Sequence, residues 1–245
     1  MILESPQHFI TVGKSNTEFA SIQNAINSYN DQSTTNQYVI YVYPGTYEEN
    51  ITLKSYTHVV GVDKETCTIK TSDAAGMITM GANSSIRNFT LNKQGASAVP
   101  CVNINNKTEV IIKHCDIYPD NANAHGIYMV GGEAEIINCN ITTASEIAIE
   151  IKDASGIIVH AEIRECYLIT TAEDPLSFDI GYTPNNTATI YQNTLRGSGT
   201  NAISALISSP GTLLFKSAHN RMNKAIEGTI TDLITTPYNV INVDV

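Results

Sequence analysis

The sequence predicts an all-β solenoid: a parallel β-helix with about 24–27 residues per rung and a short α-helix over its N-terminal end. Two interleaved series of short apolar segments carry this reading. The first is Ile86–Leu91, Ile112–Ile117, Ile136–Ile141, Ile163–Leu168 and Ile190–Leu195, whose starts lie 26, 24, 27 and 27 residues apart. A looser copy starts at Phe215, 25 residues further on. The second series is Met77–Met80, Cys101–Ile104, Gly126–Met129, Ala148–Ile151, Ser177–Ile180 and Ala202–Leu206. A fixed period of this length is the mark of stacked repeats, and two series with one period put at least two strands in each rung.

The N-terminal elements lead into this repeat. Residues 8–12 read as a leading strand. Ser15/Glu18 and Ser21/Asn24 both have the spacing of a capping box. Phe19, Ile22, Ala25, Ile26 and Tyr29 fall on one helical face, so a helix over 21–29 is expected to cover the open end of the coil. A polar loop, 31–37, precedes the strand Tyr38–Tyr43, which Pro44-Gly45 ends. The chain is expected to form a single domain: leading strand and capping helix over 1–37, rungs over 38–223, and a tail over 224–245. The tail departs from the repeat. It is read either as a cap on the last strand edges or as a contact with another subunit.

Within the first series the fourth positions are Phe89, Cys115, Cys139, Cys166 and Asn193, with Cys67 before them and Ala218 after. Stacked rung on rung, the cysteines form an interior ladder of small buried side chains. Five cysteines with wide spacings and no CxxC argue against zinc or a disulfide framework, and no cofactor is expected. The third positions, Asn88, His114, Asn138, Glu165 and Gln192, are placed at bends, where asparagine tolerates a left-handed backbone.

A net charge of −10 with only 16% charged residues excludes a general nucleic-acid or anionic-membrane binder. No apolar run is long enough to cross a membrane as a helix. The first residues lack the basic and apolar regions of a secretory signal, so no signal peptide is expected. The six Asn-x-Ser/Thr sequons, read with that, are compositional.

Ser21-Ile22-Gln23 with Ala25, Val39 to Tyr43, Pro44-Gly45-Thr46-Tyr47-Glu48-Glu49-Asn50, Val60-Gly61 and Thr66-Cys67-Thr68-Ile69 resemble the N-terminal part of the pectinesterases. The match covers roughly the first 70 residues. It implies the right-handed parallel β-helix of the pectin-lyase-like group, which esterases, lyases and non-enzymatic viral β-helices share. The catalytic segments of the pectinesterases, of QDTL, DFIFG and Arg-x-Trp type, do not follow. The chain has no Trp, Ser177–Gly181 and Gln192–Leu195 are only faint echoes in the wrong order, and the activity is not carried over from the resemblance.

Outward positions suggest two sites. The second series gives a column Thr79, Asn103, Tyr128, Glu150, Asp179, Ser204. Glu150 and Asp179 on adjacent rungs would be close enough to raise each other's pKa, which suits an acid and a base or nucleophile. A separation near 5 Å fits a retaining glycosidase, with Tyr128 as a platform for a sugar ring and His125 close by in sequence. The plain alternative is a solvated strand face. The first series gives Arg87, Lys113, Ile137, Arg164, Tyr191, Lys216, a basic column that would bind an acidic glycan or an acidic neighbouring subunit. Its alternative is the ordinary use of cations against edge pairing.

Three functions follow as expectations. The leading one is a non-catalytic structural β-helix of a virus or phage particle, with protein subunits, itself included, as partners. The second is a polysaccharide-active hydrolase, lyase or carbohydrate esterase. The third is a carbohydrate-binding or adhesin module.

Overall fold

The computed structural model describes residues 7–72, 76–95, 98–120, 124–182, 185–199, 201–207, 213–222, 226–228 and 242–243. They form a parallel β-solenoid of about seven turns. Each complete rung has three strands, one more than the minimum of two that the interleaved series required. One rung, for example, runs through Ile149–Lys152 on the first face, Val159–Arg164 on the second and Tyr167–Thr170 on the third. The third face was hidden in the sequence because each hexamer of the first series straddles a corner. Ile163 and Arg164 end one strand, Glu165 turns the chain, and Tyr167 and Leu168 begin the next.

That corner is built from left-handed residues on successive rungs: Asn88, His114, Asn138, Glu165, Gln192 and His219, with φ between 50° and 62°. Just inside it runs a hydrogen-bonded ladder. Asn193 Oδ1 accepts from the Cys166 N–H (2.8 Å) and Asn220 Oδ1 from the Asn193 N–H (2.9 Å). Their Nδ2 groups donate to the carbonyls of Ile163 and Ile190, each at 2.9 Å. The thiols do the same work in the rungs below. Cys166 Sγ reaches the Ile136 carbonyl and Cys139 Sγ the Ile112 carbonyl (3.4 and 3.7 Å), and the Cys115 and Cys139 N–H groups point at the next sulfur up. The cysteines are therefore more than small hydrophobes: they satisfy the backbone at the bend. Burial and the hydrogen bond with Cys115 hold the Cys139 thiol well above its usual pKa. Cys101 is buried away from this ladder, beside Lys93.

Two expected alignments are corrected. The final copy of the first series starts at Ser217, which pairs with Ile190, and not at Phe215, which pairs with Ala188. Asn220, not Ala218, thus continues the ladder, and Lys216 pairs with Thr189 outside the basic column. In the second series, Leu176-Ser177-Phe178 continues Ile149-Glu150-Ile151, so Ser177 and not Asp179 stands beside Glu150.

The first and second faces join in the long strands Val102–Lys113 and Ile127–Ile137. Gly132 sits at that bend with φ +90°, and a Cβ there would lie 2.2 Å from the Lys107 carbonyl oxygen, so only glycine fits. One apolar core runs from Ile10 to Met222.

The lid is a helix of one and a half turns, Ile22–Asn27, with Ile22, Ala25 and Ile26 buried on the coil. Ser21 caps it by accepting from the Asn24 N–H. Ser15 and Glu18 form no capping box; Glu18 bonds Thr11 instead. Glu49 supplies a second cap from the next rung, accepting from Ser21 Oγ and from the Ile22 and Gln23 N–H groups at 2.7–2.9 Å. Of the tail, Ile226–Gly228 and Asn242–Val243 extend the first and third faces. Whether the tail caps the coil or contacts a neighbour rests on residues outside those described.

His58 on the second face is buried between Gln37 and Ser85, and burial with the nearby Arg87 charge lowers its pKa to about 4. The unfolded chain then takes up a proton near pH 6.5 that the folded chain refuses until about pH 4. Stability through this residue is complete above 6.5 and is lost as pH falls through that window, by up to about 3 kcal/mol. Urea unfolding at pH 7 and pH 4.5 is expected to show this loss, and His58→Gln is expected to reduce it. An unchanged pH difference in that variant would assign the loss to other groups.

Candidate functional site

The outward positions of the first face are fixed by strand alternation: Ile149, Ile151, Leu176 and Phe178 point into the core, and Glu150, Lys152, Ser177 and Asp179 point away from it. Parallel pairing places Tyr128, Glu150, Ser177 and Ser204 in one column and Val130, Lys152, Asp179 and Leu206 in the next. Asn103 and Thr79 extend the first column towards the lid.

Charged side chains converge where these two columns run side by side. Glu150 Oε2 lies 3.2 Å from His125 Nε2, and its Oε1 lies 3.1 Å from Lys152 Nζ. The same ammonium is 3.6 Å from Asp179 Oδ2. Glu146, on the turn before the strand, lies 3.8 Å from the other imidazole nitrogen. The Tyr128 ring is nearly parallel to the His125 ring (16°, centroids 5.8 Å), and Lys152 Nζ is 5.8 Å from the Tyr128 centroid. Glu150 is nearly closed off at 12% side-chain exposure, while Asp179 is open at 45%.

The array thus brings together all three residues expected on this face, Tyr128, Glu150 and Asp179, but in a different relation. Asp179 is diagonal to Glu150, and a cation stands between the carboxylates. Attraction to a shared ammonium replaces the mutual repulsion that a glycosidase pair on one column would have. Burial opposes the Lys152 charge, but Glu150, Tyr128 and Asp179 outweigh it and hold its pKa above the usual lysine value. Lys152 was legible, being two residues from Glu150 and therefore on the same face. Glu146 was not, because nothing in a turn sequence shows which rung it leans on.

The rung above is clipped to this one by Asp153. This buried carboxylate accepts from the Gly181 and Tyr182 N–H groups, each at 2.9 Å. Its own N–H donates to the Asp179 carbonyl (3.2 Å), which sets Asp179 against Lys152.

On the second face the basic column holds for Arg87, Lys113 and Arg164, in register through Ile137. Arg164 is neutralised by Glu162 at 2.8 Å and Glu165 at 3.8 Å. Lys216 lies in the neighbouring column. Among the described residues no group of three or more potential ligands could hold a metal ion.

No protein-family model matches this sequence, and no curated protein matches it. Solved structures do. A pectin methylesterase variant in complex with a hexasaccharide superposes with a TM-score of 0.65 at 15% identity, covering 91% of this chain and 81% of that one. Pectin methylesterase from carrot gives 0.62 at 13% identity over 93% and 88%. ORF18 of Geobacillus virus E2 gives 0.55 at 15% over 84% and 56%. At such identities the likeness establishes the fold alone, a parallel β-helix.

Proposed function

We propose that this chain is a polysaccharide-active enzyme, and within that class a carbohydrate esterase, acting at the His125–Glu150–Lys152–Asp179 array. The observation that carries the reading is a carboxylate held by both an imidazole and an ammonium, with a second, open carboxylate on the far side of that ammonium. Ester hydrolysis needs a base for the attacking water, a positive group where the carbonyl oxygen gains charge, and a proton for the leaving alcohol. Asp179 is the exposed base, Lys152 faces the developing oxyanion, and His125, oriented by Glu150, delivers the proton. Tyr128 offers its ring to the sugar. The likeness to pectin methylesterases supports this reading over the non-catalytic one, and makes methyl-esterified uronic acid chains the first substrates to try.

Release of methanol and acetate from a panel of esterified glycans tests it. Glu150→Gln and Lys152→Met are each expected to lower kcat/KM by about 100-fold, about 2.7 kcal/mol of transition-state stabilisation, with an unchanged circular dichroism spectrum. Activity untouched by both changes would remove the array from the mechanism. New reducing ends or unsaturated products without alcohol release would replace the ester step with glycosidic cleavage. A place on a virus particle, among other subunits, is the second reading, and the likeness to ORF18 of Geobacillus virus E2 supports it.

A further inference from the structure

The second face carries two cations that no carboxylate neutralises among the described residues. Arg87 and Lys113 pair directly across adjacent rungs, so their side chains leave the sheet about 4.8 Å apart. Both are half-buried. Among the described residues, no carboxylate pairs with either: the Arg87 guanidinium meets only the Ser85 hydroxyl, at 3.5 Å. Arg164, in the same column, shows the contrast, since Glu162 and Glu165 neutralise it. Lys64 adds a third cation at the adjoining corner, where Asp116 pairs with it at 2.7 Å. Burial together with Lys113, Lys64 and Arg87 depresses the pKa of His114 at that corner, which fits a positive local potential. Two like charges at one rung spacing repel by roughly 1 kcal/mol even in water. In a chain of net charge −10 an unneutralised pair of this kind is out of keeping with its surroundings.

We propose that Arg87 and Lys113 form a binding strip for carboxylates of an acidic polysaccharide, separate from the reactive array and on a different face of the coil. A carboxylate bridging the two rungs would turn their repulsion into two charge-assisted hydrogen bonds, and the guanidinium fork suits it. Below the strip, Tyr41 lies two rungs nearer the lid in the same column, 37% exposed and edge-on to the half-exposed Tyr43. These rings give a sugar an apolar surface beside the charges. The strip also gains a role that rests on the esterase reading. Water and a uronic ester give an alcohol and a carboxylic acid, which ionises; the glycan segment just hydrolysed acquires the charge that this face binds, and the unreacted ester does not have it.

The test is titration of the full chain with polygalacturonate, its fully methyl-esterified counterpart and neutral dextran, at low and at moderate salt. Wild type is expected to bind polygalacturonate with an affinity that falls with salt, and the other two polymers more weakly. Arg87→Gln with Lys113→Gln is expected to weaken polygalacturonate binding at least tenfold, and Lys113→Gln alone to weaken it by less, which covers the case of a poorly folded double variant. Arg164→Gln is expected to bind as wild type. Equal affinity in wild type and both strip variants, or no binding of polygalacturonate by wild type, overturns the strip. Intact binding without alcohol release from any ester would sink the esterase reading and leave the strip standing.

Discussion

Asn193→Leu is expected to destabilise the protein by about 3 kcal/mol, although leucine is close in volume. Asn193 is 1% exposed. Its amide accepts from the Cys166 N–H and donates to the Ile163 carbonyl, and both groups would be left unpaired in the core. A buried polar group without a partner costs about 1–3 kcal/mol. Asn193→Cys is the informative partner to this change. Cys139 and Cys166 hold the same ladder position and make the same two contacts through sulfur. It is therefore expected to cost about 1 kcal/mol, the difference between a neutral amide bond and a weaker thiol bond. Urea unfolding of the three proteins measures both values. Equal losses would show that sulfur does not substitute for the amide here.

Glu49→Ala has the next largest expected effect, about 2–3 kcal/mol. A helix of six residues is too short to hold itself together. It persists because Ile22, Ala25 and Ile26 cover the coil and because the Glu49 carboxylate takes three hydrogen bonds at its N-terminus. Charge-assisted bonds of this kind are about twice as strong as neutral ones, and the helix dipole adds to them. Glu49→Gln keeps one acceptor atom and is expected to lose about half as much. Hydrogen exchange localises the effect: amides 22–28 are expected to open in the alanine variant while those of the central rungs stay protected. Uniform loosening of the whole coil would mean that the lid is not a separate cooperative unit.

These two side chains mark how far the sequence could be read. Asn193 was placed in the interior ladder from its period alone, together with the cysteines below it. The bend residues Asn88, His114, Asn138, Glu165 and Gln192 were also read correctly, and all have positive φ. Glu49 was part of a recognisable motif, yet its partner lay 26–28 residues away across a rung, and no local pattern encodes that contact.

The two misreadings of register share one cause. In the strands that carry Asp179 and Lys216, successive side chains point to opposite faces. A slip of two residues there leaves every inward side chain inward and every outward one outward. Hydrophobic pattern is blind to such a slip. It put Asp179 beside Glu150 and Lys216 in the basic column, where the paired strands place Ser177 and Ala218.

The sequence by itself determined the coil, its period, its corner and its core, because burial and backbone conformation repeat along the chain and leave a visible rhythm. Only the tertiary structure decided which outward side chains meet. Lys152 stands between two carboxylates and Arg87 faces Lys113 because of the register between rungs, and that register is set by hydrogen bonds between strands some two dozen residues apart.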